Sequence, residues 1–113
     1  MRLMETRLIE IIRQERSNDK SIHLYGTGGY WVAFEESAYL LCQVFSAEVL
    51  SVISHASYPF PIVMASISDQ ELAAYSRRHI VKRNEPEYKE LVATAISFEE
   101  YRRWHAREVR EFM

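Results

Sequence analysis

Four cationic side chains fall within seven residues, Arg77, Arg78, Lys82 and Arg83, with His79 among them. Cations at this density either decorate a solvated helix end, where arginine suits the macrodipole, or contact phosphates. Tyr30 and Trp31 are adjacent, so on a strand they point to opposite faces. One of the two enters the core; the other, if exposed, can stack on a base or anchor a protein partner. Just before them runs Gly26-Thr27-Gly28-Gly29. A phosphate-binding loop needs a Lys and a following helix to hold the phosphates. Here no Lys follows and the next segment is strand-like, so the stretch reads as a hairpin turn.

The remaining reactive residue types form no motif. His23, His55, His79 and His105 are scattered, and none stands at i, i+4 from another His or from the single Cys42. No zinc pattern is present, and neither metal nor cofactor is expected. Glu35-Glu36 and Glu99-Glu100 lie near the starts of helical segments, where acids favour the dipole and capping. No G-x-S-x-G elbow or other nucleophile motif occurs. In the last segment Arg102, Arg103, Arg107 and Arg110 are matched by Glu99, Glu100, Glu108 and Glu111. That segment reads as a mixed ionic face over a core side of Phe98, Tyr101, His105, Val109 and Phe112. Cys42 lies on an apolar helix face and reads as a core thiol. These residues point to binding and not to catalysis.

The elements that must position them follow from periodicity. The chain has 113 residues, 48% hydrophobic and 27% charged, with 14 Lys+Arg against 16 Asp+Glu. That suits one globular domain over residues 1–113, and its net charge of −2 is unlike the basic balance of most freestanding nucleic-acid binders. Met4, Leu8, Ile11 and Ile12 predict a helix over 3–16. Strands are predicted at 22–25 and 30–34, a helix at 35–46 and a strand at 48–55. A Pro-bounded loop covers 56–61. The apolar run 62–67 has strand length. Ser68-Asp69-Gln70-Glu71 has the form of a capping box and starts a helix to about 78. A short strand over 79–83, a strand over 91–96 and a helix over 98–112 complete the reading. The fold class is α/β, a central mixed sheet of about five or six strands flanked by three or four helices. Met1–Arg7 does not read as a signal peptide, and no apolar run approaches a membrane span, so a cytoplasmic protein is expected.

Two stretches of the chain resemble a known family. Leu24-Tyr25-Gly26-Thr27-Gly28-Gly29-Tyr30-Trp31-Val32-Ala33-Phe34-Glu35-Glu36-Ser37-Ala38 resembles the start of the mismatch-recognition domain of MutS. That family reads hydrophobic-aromatic-R-x-G-D-F-Y-E-x-F-x-x-D-A. Gly28, Phe34 and Ala38 match, and Tyr30 and Trp31 keep aromatic character. Ile62-Val63-Met64-Ala65-Ser66-Ile67, with Tyr75 beyond it, is similar to the family's I-P-M-A-G-I/F-P…Y. The likeness covers about residues 22–80. It implies a MutS N-terminal-like fold and a DNA partner. In the family the Phe of F-x-E wedges beside a mispaired base and the Glu hydrogen-bonds to it. Those positions are Tyr30, which can stack, and Val32, which cannot hydrogen-bond. The implied function is a non-enzymatic nucleic-acid-binding module with Tyr30 or Trp31 stacking and Arg77, Arg78, Lys82 and Arg83 on phosphates. The alternative is a protein-interaction or self-association module, a homo-oligomer for example, that kept the fold without DNA binding.

Overall fold

The computed structural model describes residues 8–16, 20–45, 49–55, 58–95 and 97–112. In chain order these form α1 (Leu8–Glu15), β1 (Ser21–Gly26), β2 (Tyr30–Phe34), α2 (Glu35–Val44), β3 (Val49–His55), β4 (Tyr58–Ser68), α3 (Asp69–Ser76), β5 (Val81–Asn84), β6 (Tyr88–Val92) and α4 (Phe98–Phe112). The six strands make one sheet in the order β3-β4-β2-β1-β6-β5. This is the α/β architecture expected from the sequence, with four helices among the described residues. Every ladder is antiparallel, which corrects the expectation of a mixed sheet. The reason is topological. Helix α2 carries the chain from β2 to β3, but β4 folds back between them and pairs with both.

Alternation sends the strands' side chains to two different cores. On one face Ile22, Leu24, Trp31, Ala33, Val63, Ala65, Ile67 and Leu91 pack under Ala38, Leu40 and Leu41 of α2, Leu72 of α3, and Tyr101 and Trp104 of α4. On the other, Tyr25, Val32, Phe34 and Ile62 lie beneath Leu8, Ile11 and Ile12 of α1. Strands β1 and β2 are therefore buried on both sides. Each buried Leu, Ile, Val or Phe among them contributes about 1.5–3 kcal/mol. Cys42 is half-buried against the first core.

Several boundaries move from their predicted places. Residues 3–7 of the expected first helix, and residue 46, lie outside the described residues. Strand β4 begins at Tyr58, inside the expected Pro-bounded loop. Its pairing with β2 starts only at Met64, and its register against β3 shifts between Ile53 and His55. Pro59 and Pro61 thus sit where ladder bonds are interrupted, which proline tolerates. Strand β6 covers 88–92 instead of 91–96. It pairs with β1 from Tyr25–Tyr88 to Ser21–Val92, so Lys89 and Glu90 belong to a strand despite their charge. Residue 96 is outside the described residues. On α4 the buried stripe is Tyr101, Trp104 and Glu108, while Phe98 is exposed; the side chain of Phe112 is not described.

Candidate functional site

Strand β2 has a different kind of polar environment at each end. At its first residue the hairpin turn is built from backbone. Gly28 takes φ +86°, a region open to glycine without steric cost. The Thr27 N–H donates to the Tyr30 carbonyl at 3.0 Å, Gly26 N–H to Glu87 O at 2.9 Å, and Asp69 N–H to Gly29 O at 3.0 Å. The turn is so tied to the β5–β6 connection on one side and to α3 on the other. Helix α3 has the capping box read from its sequence: Ser68 Oγ accepts from Glu71 N–H at 3.1 Å, and Glu71 Oε1 from Ser68 N–H at 3.0 Å.

On this frame Tyr30 is 56% exposed and Trp31 is 5% exposed. The ambiguity between the two aromatics is resolved, and Trp31 is corrected from a candidate contact to a core residue. Its ring lies against Gly26 and 5.2 Å from the Lys89 ammonium. Its Nε1–H donates to Asp69 Oδ1 at 2.9 Å, which satisfies the one polar group a buried indole carries. Val32, on the same face as Tyr30, is buried under α1.

The four cations do not form one patch. Arg77 and Arg78 follow α3 and are exposed, with no ion pair among the described residues. Beside them His79 stacks on Tyr75 with centroids 3.9 Å apart. Lys82 and Arg83 sit on the edge strand β5 and are engaged within the molecule. Lys82 Nζ lies 3.1 Å from Glu90 Oε2 and donates to Ser21 Oγ at 3.0 Å. Arg83 pairs with Glu85 at 2.9 Å and lies over the Tyr88 ring at 5.5 Å. The Tyr88 hydroxyl donates to Glu90 Oε1 at 3.2 Å and contacts His23 Nδ1 at 2.6 Å. Burial pushes the Tyr88 phenol up and the His23 imidazole down. Burial works against the Glu90 carboxylate too, but hydrogen bonds from Lys82 and Ser21 outweigh it and hold its pKa below the usual range.

The far end of β2 is built from side chains. The residue in the N-cap position of α2 is Phe34, which has no side-chain cap bond. The cap comes from α1. Glu15, fully buried, accepts from Ser37 N–H at 2.8 Å and from Ser37 Oγ at 2.6 Å. Ser37 Oγ in turn accepts from His23 N–H at 3.0 Å. Glu35 has φ +52°, costly for a residue with a Cβ. Its carboxylate accepts from Val63 N–H at 3.0 Å and from Tyr101 Oη at 2.8 Å. His105 Nε2 lies 2.7 Å from Glu35 Oε2, outside hydrogen-bonding geometry. Contact with Glu35 raises the His105 pKa. Burial raises that of Glu36 to about 7 and pushes the Tyr101 phenol up.

These polar partners were not legible in the sequence. Glu15, Tyr101 and His105 lie 22 to 70 positions from the residues they hold, and only the paired Glu35-Glu36 carried a local signal. Among the described residues no group of His, Cys, Asp and Glu is arranged to hold a metal ion, and no helix is long and apolar enough to cross a membrane. Compared with known proteins, the chain matches no protein-family model, no curated protein and no solved structure.

Proposed function

We propose that this chain is a non-enzymatic nucleic-acid-binding module, resembling the mismatch-recognition domain of MutS, that works through Tyr30. The exposed Tyr30 ring carries the reading: it stands on a turn held at three points by backbone hydrogen bonds. An aromatic on a fixed frame loses little entropy when a base stacks on it, and such a stack contributes about 1–3 kcal/mol. Arg77 and Arg78 supply phosphate contacts. Lys82 and Arg83 contribute less, since each must first leave an acidic partner. Val32 is buried and apolar, so the module reads distorted or unstacked sites by shape and not by a base-edge hydrogen bond.

The test is binding of labelled homoduplex, single-mismatch and single-stranded DNA at about 50 mM and about 200 mM salt. The reading expects salt-sensitive binding that favours mismatched or single-stranded DNA over homoduplex. Absence of binding at the lower salt overturns it.

A second reading is self-association through the edge of β3. The other edge strand, β5, carries Lys82 and Arg83, which blunt edge pairing. Strand β3 reads Val-Leu-Ser-Val-Ile-Ser-His with no Lys, Arg or Pro, and its outer edge is unpaired among the described residues. Sedimentation equilibrium decides it: a dimer supports the reading and a strict monomer rules it out.

A further inference from the structure

A cleft of about 1020 Å³ opens beside the Glu35 end of β2, lined by Arg16, Glu35, Phe60, Pro61, Arg102, His105, Ala106, Val109 and Arg110. We propose that it binds a small organic anion, a carboxylate or phosphate head on an apolar body. This site is separate from Tyr30 and goes beyond the nucleic-acid reading.

Three observations carry it. The first is the charge of the lining: three arginines border one opening, Arg16 just after α1 and Arg102 and Arg110 on α4. On α4, Arg102 and Arg110 flank Ala106 and Val109 along one arc, and neither forms an ion pair among the described residues. Arginine forks match carboxylate and phosphate oxygens two at a time. The second is the state of the lone acid in the lining. Glu35 already accepts from Val63 N–H and Tyr101 Oη, and His105 Nε2 lies 2.7 Å from its Oε2, so its oxygens are committed to the fold. An entering anion meets net positive charge, whereas an entering cation finds no carboxylate oriented for it. The third is the apolar wall. Phe60 is 60% exposed, and with Pro61, Ala106 and Val109 it offers a continuous apolar surface for a hydrocarbon or aryl body. The volume lies at the upper end of small-ligand sites, which fits a body of drug or fatty-acid size.

The probe is 1-anilinonaphthalene-8-sulfonate, an aryl anion whose fluorescence rises when its rings leave water. With the full chain, saturable one-to-one binding is expected. Dodecanoate and dodecyl phosphate should displace the probe, dodecanol should not, and the better of the two anions identifies the head group. Arg102→Ala and Arg110→Ala should each weaken probe and anion binding about tenfold. Both residues are exposed, so the circular dichroism spectrum should be unchanged. Arg102→Lys, which keeps the charge and loses the fork, should recover only part of the affinity. Failure of the probe to bind overturns the proposal. So does displacement by dodecanol as effective as by dodecanoate, or affinity unchanged in both alanine variants. A dimer that covers the cleft, seen by sedimentation with no probe binding, also overturns it in favour of a second copy as the occupant. DNA binding is expected to be unaffected by Arg102→Ala, so failure here leaves the Tyr30 reading standing.

Discussion

The two ends of β2 solve opposite problems with the same strand. At the Tyr30 end, backbone groups tie the turn to α3 and to the β5–β6 connection, and the Tyr30 side chain remains in solvent. At the Glu35 end, side chains do the tying. Glu15 caps α2, and Glu35 joins α2 to β4 and α4. The difference teaches where to look for binding. A residue consumed in holding the fold is a poor contact however polar it is, and a residue on a backbone-built frame is available. By the same rule Lys82 and Arg83 rank below Arg77 and Arg78, and Trp31 ranks below Tyr30.

The sharpest way to break this comparison is to exchange stability for binding at each end. Glu15→Ala should cost about 3 kcal/mol in chemical denaturation, because it leaves the Ser37 N–H and hydroxyl buried without their acceptor. Tyr30→Ala, at a solvent-exposed position, should change stability by no more than about 0.5 kcal/mol. Comparable losses from both variants would erase the distinction.

Titration probes the side-chain-built end next. The Glu36 pKa rises from 4.5 to about 7 on folding. Between those values the folded protein holds a proton that the unfolded chain has released, so stability falls as pH rises through this window. His105 acts in the same direction, since its raised pKa gives stability that is present below 6.5 and lost as pH climbs through the folded value. His23, lowered by burial, opposes them by favouring the unfolded chain as pH falls below 6.5. Glu90, held low by its hydrogen bonds, does the same as pH falls from 4.5. Glu36→Gln isolates one contribution. Its melting temperature should exceed that of the wild type by a few degrees at about pH 8 and match it at about pH 5. An equal difference at both pH values would contradict the assigned burial of the charge.

The smallest expected effect is in salt dependence. Arg77→Ala or Arg78→Ala should each reduce the slope of log K against log salt by about 1. Lys82→Ala should change it less, since its ammonium is already paired with Glu90. Equal slopes for all three variants would contradict phosphate contact by Arg77 and Arg78.

What could be read in advance follows the range of the interactions. The hairpin, the capping box at Ser68–Glu71 and the apolar faces of α1 and α2 are local, and the α/β class emerges from them. Strand β6 starts three residues before the periodicity suggests, because Lys89 and Glu90 look unlike a strand until β1 and Lys82 supply their partners. Trp31 and Tyr30 could not be told apart because alternation gives opposite faces without saying which is covered. The cleft was hidden for a similar reason. Balanced charges along 98–112 read as an ionic surface, and only the packed helix shows Arg102 and Arg110 sharing an arc with Ala106 and Val109. The left-handed turn at Glu35 has no sequence mark at all, because a glycine would be the usual residue there.

The most direct measurement is the affinity of the wild type, Tyr30→Ala and Tyr30→Trp for single-mismatch DNA at low salt, with stability measured in parallel. Base stacking on Tyr30 predicts about a tenfold or larger loss for Tyr30→Ala, retained binding for Tyr30→Trp, and near-equal stability for all three. Equal affinity of Tyr30→Ala and wild type would contradict the central claim that the exposed ring at the open end of β2 is the working contact.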